Sequence, residues 1–114
     1  MDKVFKLAPD QMRQVVADGR GCFASDRITV DGSLVGYMYR EEPDAEWDSG
    51  WRFMAGDESD DYVNNPANLQ IYALNTIANY DMEIIPLLTA PINSAFARDS
   101  VTKSFLQVPF EPPE

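Results

Sequence analysis

Apolar and polar positions change period several times along this chain, and each change marks an element. In residues 34–40, LVGYMYR, apolar groups fall on both sides of a strand: Val35, Tyr37 and Tyr39 on one face, Leu34, Gly36 and Met38 on the other. A strand that is apolar on both faces belongs inside a sheet, and Gly36 in its middle predicts a close approach of another backbone. Residues 51–55, WRFMA, set Trp51 and Phe53 against Arg52 and Met54. They predict a second strand with the two aromatic rings in the core. Shorter β-prone runs predict strands at 22–25 and 27–30 and a last pair at 95–98 and 105–108. Asp31-Gly32, lying between 27–30 and 34–40, predicts a tight hairpin there.

The period becomes helical at 66–79. Leu69, Ile71, Ala73, Leu74, Ile77 and Ala78 cover an arc of roughly 200°, with Asn68, Asn75, Thr76 and Asn79 on the remainder. Asn65 is placed to cap this helix and Pro66 to open its first turn. The asparagines are read as facing water or tying down neighbouring loops. A shorter helix is predicted at 9–18, with Pro9 in its first turn, Met12, Val15 and Val16 on its apolar side, and Gly19 and Gly21 ending it. Asp81 is predicted to cap a turn at 82–88 that Pro86 interrupts. Three prolines in residues 108–114 predict a poorly ordered tail, taken as 109–114. With 114 residues there is material for one core. The predicted architecture is a single α+β domain over 1–108: a mostly antiparallel sheet of about five or six strands with the 66–79 helix packed on it.

Charge changes the picture. The net charge is −10, which excludes the basic face that nucleic acid or an anionic membrane needs. It favours a basic partner, a cation or no partner. The acids are concentrated: residues 41–61 hold nine carboxylates (41, 42, 44, 46, 48, 57, 58, 60 and 61) against one base, Arg52. Trp47 stands between Glu46 and Asp48 in a turn-forming loop, where an exposed ring rimmed by charge is a candidate interface anchor. The candidate partner-binding residues are Glu41, Glu42, Trp47, Asp57, Glu58, Asp60 and Asp61. The bland alternative is a solvated acidic face. A catalytic carboxylate pair needs burial or repulsion to raise one pKa, and these acids sit in hydrophilic, turn-rich stretches where water keeps them ionised.

Other chemistry is sparse. Residues 57–61 offer oxygens to a cation, but Tyr62 stands where a calcium loop needs its glycine and Asn68 where it needs its bidentate glutamate. No dedicated metal site and no cofactor is expected. There is no histidine, which removes Ser–His–Asp and Cys–His nucleophilic arrangements. The single Cys22 forms no internal disulfide and reads as a small strand hydrophobe. No apolar run approaches membrane-spanning length and residues 1–10 do not read as a leader, so a cytoplasmic location is expected.

Four blocks in order, VGYMYREEPD, DSGWRFMAGDESDDYVNNP, IYALNTIANYDMEIIPLL and PINSAFARD, resemble a small bacterial family long catalogued as a domain of unknown function and later assigned to the immunity proteins of polymorphic toxin systems. The MYREEPD…DSGWRF…GDE series is its signature, and the resemblance spans roughly residues 21–108. It implies a cytoplasmic α+β protein, not an enzyme, that binds and neutralises a cognate toxin. It supplies no catalytic residues. An acidic inhibitor suits the basic cleft of a nucleic-acid-cutting toxin by electrostatic complementarity. The alternatives are a regulatory or structural protein-interaction module, or a small-ligand site or enzyme built on an acidic pocket with Arg52.

Overall fold

The computed structural model describes residues 5–7 and 11–110, positions 60 and 66 by their backbone alone. Six strands make one sheet: β1 (Gly21–Ser25), β2 (Tyr37–Arg40), β3 (Asp48–Met54), β4 (Leu69–Ala73), β5 (Ala95–Arg98) and β6 (Phe105–Val108), in the order β4-β1-β3-β2-β5-β6. Every neighbouring pair is antiparallel except β1 with β3, which is parallel. The helices lying within the described residues include α1 (Asp26–Thr29), α2 (Asp60–Val63) and α3 (Leu74–Tyr80), with 3-10 turns at Pro66–Asn68 and Met82–Leu87. The protein is α+β with a mostly antiparallel sheet, as the sequence predicts.

Pairing register sorts the side chains. Cys22 and Ala24 of β1, Met38 of β2, Trp51 and Phe53 of β3 and Phe96 of β5 share one face and are buried. Ile28 of α1, Leu74, Ile77 and Ala78 of α3, and Ile84 of the 82–87 turn complete that core. Trp51 and Phe53 are fully buried, stabilising the fold by about 1.5–3 kcal/mol for a ring of Phe size. β2 lies inside the sheet between β3 and β5. At Gly36 a Cβ would stand 1.9 Å from the Ala55 carbonyl oxygen, the close backbone approach that the glycine predicts. The strand itself begins later than residue 34, so Val35 is buried apart from Tyr37 and Tyr39, which stay half-buried.

Three expected elements differ. Residues 27–30 do not form a strand and Asp31-Gly32 does not turn a hairpin. Ser25 caps α1 by accepting from the Arg27 N–H, and Gly32, at φ 82°, closes it by donating to the Ile28 carbonyl at 3.1 Å. A left-handed glycine serves a helix end as readily as a hairpin, and burial of Ile28 against α3 decides for the helix. β3 then comes to lie between β1 and β2.

The 66–79 helix keeps only its second half. Residues 69–73, LQIYA, pair antiparallel with β1 as an edge strand, Phe23 opposite Ile71. Tertiary pairing of a β-branched and aromatic run outweighs its helical spacing.

Residues 12–18 are irregular, not helical. Asn75 accepts from the Val15 and Val16 N–H groups at 2.7 and 2.9 Å, and Asn75 and Asn79 both donate to the Arg13 carbonyl at 2.8 Å. Those bonds replace the ones a helix would make, and the asparagines tie down a neighbouring segment as expected. Residues 9 and 10 of that predicted helix lie outside the described residues. The Asp81-capped turn, β5 and β6 match their predicted positions, Asp81 accepting from the Glu83 N–H. Of the predicted tail, Phe110 packs against the Tyr39 ring at 6.0 Å, and 111–114 lie outside the described residues.

Candidate functional site

The loop from Arg40 to Asp48 is built around one guanidinium. Arg52, on β3, is buried, and its Nη1 and Nη2 each donate to Asp48 at 2.9 Å while Nε donates to Glu41 at 2.5 Å. Its guanidinium carbon stands 4.6 Å over the Phe23 ring, the geometry of a cation–π contact. Asp48 is also buried and accepts from the N–H groups of Asp44 and Gly50, both at 2.9 Å. Burial pushes the Asp48 carboxyl up, but the Arg52 hydrogen bonds and the two backbone N–H groups outweigh it and hold the pKa down at about 2. Burial likewise lowers the Arg52 pKa, and Asp48 and Glu41 more than reverse it. Both groups stay ionised, so the pair is an ion-paired frame and not an acid–base couple. The expectation that water keeps all these acids ionised is corrected for Asp48: protein groups do that work.

Backbone geometry closes the loop. Glu41 donates to the Gly50 carbonyl at 3.0 Å, and Gly50 sits at φ 91° with its missing Cβ 2.2 Å from the Glu41 oxygen. Only glycine fits there. The frame holds out Trp47, 43% exposed, whose ring packs against Phe23 at 6.2 Å and lies over Gly21. Glu42, Asp44 and Glu46 are exposed beside it.

The remaining predicted site residues stand elsewhere. Asp57 is paired with Arg27 at 2.5 Å, which lowers its pKa, and Arg27 also holds Asp31. Glu58 accepts from the Ala55 and Gly56 N–H groups at 2.7 and 2.9 Å. Asp61 is exposed, and the Asp60 side chain lies outside what the structure describes. β3 separates the two groups, so residues 41–48 and 57–61 sit at opposite ends of a strand roughly 20 Å long. Glu41, Glu42 and Trp47 come together; Asp57, Glu58 and Asp61 do not join them. The sequence reading missed Asp48 and Arg52 as the organising pair. Its one signal was a lone base among nine acids.

At the far end a hollow of about 520 Å³ is bounded by Tyr37, Asp57, Ala97, Asp99 and Lys103, among others. Among the described residues no three His, Cys, Asp or Glu side chains converge as metal ligands would. No helix among them is long and apolar enough to cross a membrane.

A small acidic α+β domain, one sheet face packed on helices and an ion-paired loop at its end, is the class the geometry defines. A family model, the Immunity protein Imm33 domain, matches residues 22–109, and the chain belongs to this family of immunity proteins. The match runs from the second residue of β1 past the end of β6 and so takes in all of the sheet but Gly21. No curated protein and no solved structure matches the chain.

Proposed function

We propose that this immunity protein neutralises a cognate bacterial toxin by binding it, without catalysis, in the cytoplasm of the cell it protects. The contact is acidic and spans the two ends of β3, with Glu41, Glu42 and Trp47 as its candidate residues at one end and Asp57, Glu58, Asp60 and Asp61 at the other, and the toxin is a basic protein. Family membership over residues 22–109 is the observation that carries the reading. The loop geometry supports it: an exposed tryptophan among exposed carboxylates, held by a buried ion pair, is a preorganised anchor that loses little freedom on binding.

The test uses the toxin captured with this protein from its host cell and identified by mass spectrometry, purified and immobilised, with rates read by surface plasmon resonance at two salt concentrations. Glu42, Glu46 and Asp61 engage no ion pair among the described residues, so neutralising all three to Gln, Gln and Asn leaves the frame intact. That variant is expected to associate more slowly and with a weaker salt dependence than wild type. Trp47→Ala is expected to speed dissociation instead. A triple variant that associates at the wild-type rate in low salt would place the contact away from the acidic surface.

A further inference from the structure

The sheet ends at β6, and the outer edge of that strand keeps its hydrogen-bonding groups. Arg98 donates its N–H to the Gly36 carbonyl at 2.8 Å, and Asp99 donates to the Ser104 carbonyl at 2.8 Å. Arg98 thus turns its backbone groups toward β2, and Phe105, paired opposite it, turns its own away from the sheet. Alternation does the same for Gln107, opposite Phe96, while Leu106 and Val108 bond to β5. Phe105 and Gln107 therefore each aim an N–H and a C=O outward. Among the described residues no further strand pairs with β6, and no hydrogen bond meets those groups.

Edge strands are ordinarily blunted by a charge, a proline or a bulge. Residues 105–108, FLQV, carry no charge and no proline, and their pairs with β5 run without a register shift. Leu106 stands 56% exposed, and Gln107 is exposed beside it. The other edge, β4, is confined at both ends. It runs from the 66–68 turn directly into α3, and the Asn68 side chain ties that turn to the Tyr62 carbonyl of α2 at 3.0 Å.

The spacing of the outward groups fits a second copy of the same strand. With two copies antiparallel about a two-fold axis at Leu106, Phe105 of one faces Gln107 of the other, and each such pair exchanges two N–H···O bonds. The two leucines meet at the axis as a non-hydrogen-bonded pair, where cross-strand side chains come closest. Charge agrees with this arrangement. The charges in residues 99–110 are Asp99 and Lys103, which cancel. The acidic 41–48 loop follows β2 at the Val108 end of β6, because Tyr39 lies opposite Ala95 and Ala95 opposite Val108. Antiparallel pairing therefore sends the two acidic loops to opposite ends of the joint, each toward the Lys103 end of the other copy. A basic partner finds no complementary charge on this neutral strand.

We infer that the β6 edge, Phe105–Val108, is a self-association site at which two copies of this chain join their sheets into one by antiparallel pairing about Leu106. The joint is a single four-residue strand, short of the roughly 800 Å² per partner of a standard interface, so the dimer is transient and depends on concentration. It leaves Trp47 and the 41–48 loop free for a toxin.

Sedimentation of the purified chain from about 10 μM to about 1 mM tests the inference. Wild type is expected to pass from monomer toward dimer over that range, and at lower concentration as salt screens the net charge of −10. Gln107→Pro removes an N–H that bonds nothing in the monomer, on an edge where proline is tolerated. It is expected to weaken dimerisation by about tenfold or more. Ile71→Pro makes the same change on β4, where Ile71 lies opposite Phe23, and is expected to leave dimerisation within about twofold. Both variants are checked by thermal melt. Hydrogen exchange of wild type needs no variant to fold: the Phe105 and Gln107 amides are expected to exchange more slowly in the concentrated sample than in the dilute one. A wild type that stays monomeric throughout overturns the inference. So does a dimer with no slowing at Phe105 and Gln107, and so does one that Ile71→Pro dissolves and Gln107→Pro spares.

Discussion

Arg52 shows how much one residue can decide. Nothing in its local sequence marks it as buried, yet its guanidinium satisfies Asp48 and Glu41 and closes the loop that carries Trp47. Removing one partner of such a pair strands the other charge away from water. Asp48→Asn is therefore expected to cost about 3–5 kcal/mol in a denaturant melt at pH 7. The pH dependence has a definite sign. The folded pKa of Asp48, about 2, lies below its unfolded value of about 3.9, so its contribution is complete above pH ~4 and is lost as pH falls toward 2. Melts at pH 7 and pH 3 are expected to show a smaller acid loss in Asp48→Asn than in wild type. Cys22 offers a second residue-scale check. It is fully buried, and burial pushes its thiol pKa up. It is expected to resist thiol reagents in the native state and to react only at the rate of opening.

At the scale of elements, the 66–80 stretch is the instructive one. Its 3.6-residue spacing is real, but residues 69–73 lie beside the free edge of β1, and five paired residues there outweigh half a helix. The remaining seven-residue α3 works through its polar side as well as its apolar one. Asn75 alone satisfies the N–H groups of Val15 and Val16 and donates to the Arg13 carbonyl. Asn75→Ala is expected to cost about 1–3 kcal/mol and to speed amide exchange selectively at Val15 and Val16. Equal acceleration across the whole sheet would show that the asparagine supports the core and not the segment. β3 makes the opposite case: Phe53 is fully buried in the sheet's central pair of strands. Phe53→Ala is expected to cost about 3–5 kcal/mol, and a small loss would contradict the packing described.

For the whole molecule, the acidic excess is a matter of distribution. Screening of a net charge of −10 is expected to raise Tm as salt is added, by no more than the roughly 4–8 °C that about 1 kcal/mol is worth in a domain of this size. The acids are not equivalent, however. Neutralising Glu42, Glu46 and Asp61 is expected to leave Tm unchanged or higher. Adding Glu41, Asp57 and Glu58 to that set is expected to lower it, because these hold Arg52, Arg27 and the Ala55–Gly56 backbone. A uniform acidic surface would gain from both sets, so the two melts together decide between them.

Local patterns determined much of this protein by themselves. Alternation at 51–55 placed Trp51 and Phe53 in the core, the β-prone runs at 95–98 and 105–108 marked β5 and β6, Asp81 announced its own turn, and Gly36 foretold a backbone contact. The ordered MYREEPD…DSGWRF…GDE blocks pointed to an immunity family that the match over residues 22–109 shows. The strands, the turn and the glycine contact each depend on neighbours within a few residues, where spacing and chemistry suffice. Tertiary structure alone decided the rest. Whether Asp31-Gly32 ends a helix or turns a hairpin depends on where Ile28 finds its core, and whether 69–73 is strand or helix depends on the edge of β1. The nine acids read as one stretch because they are adjacent in the chain, and β3 sets them at two ends of a sheet because an extended strand carries its flanks apart. The outward groups of Phe105 and Gln107 became visible only with the register, since the side to which a strand residue turns its backbone is set by hydrogen bonds between strands and by nothing in its sequence spacing.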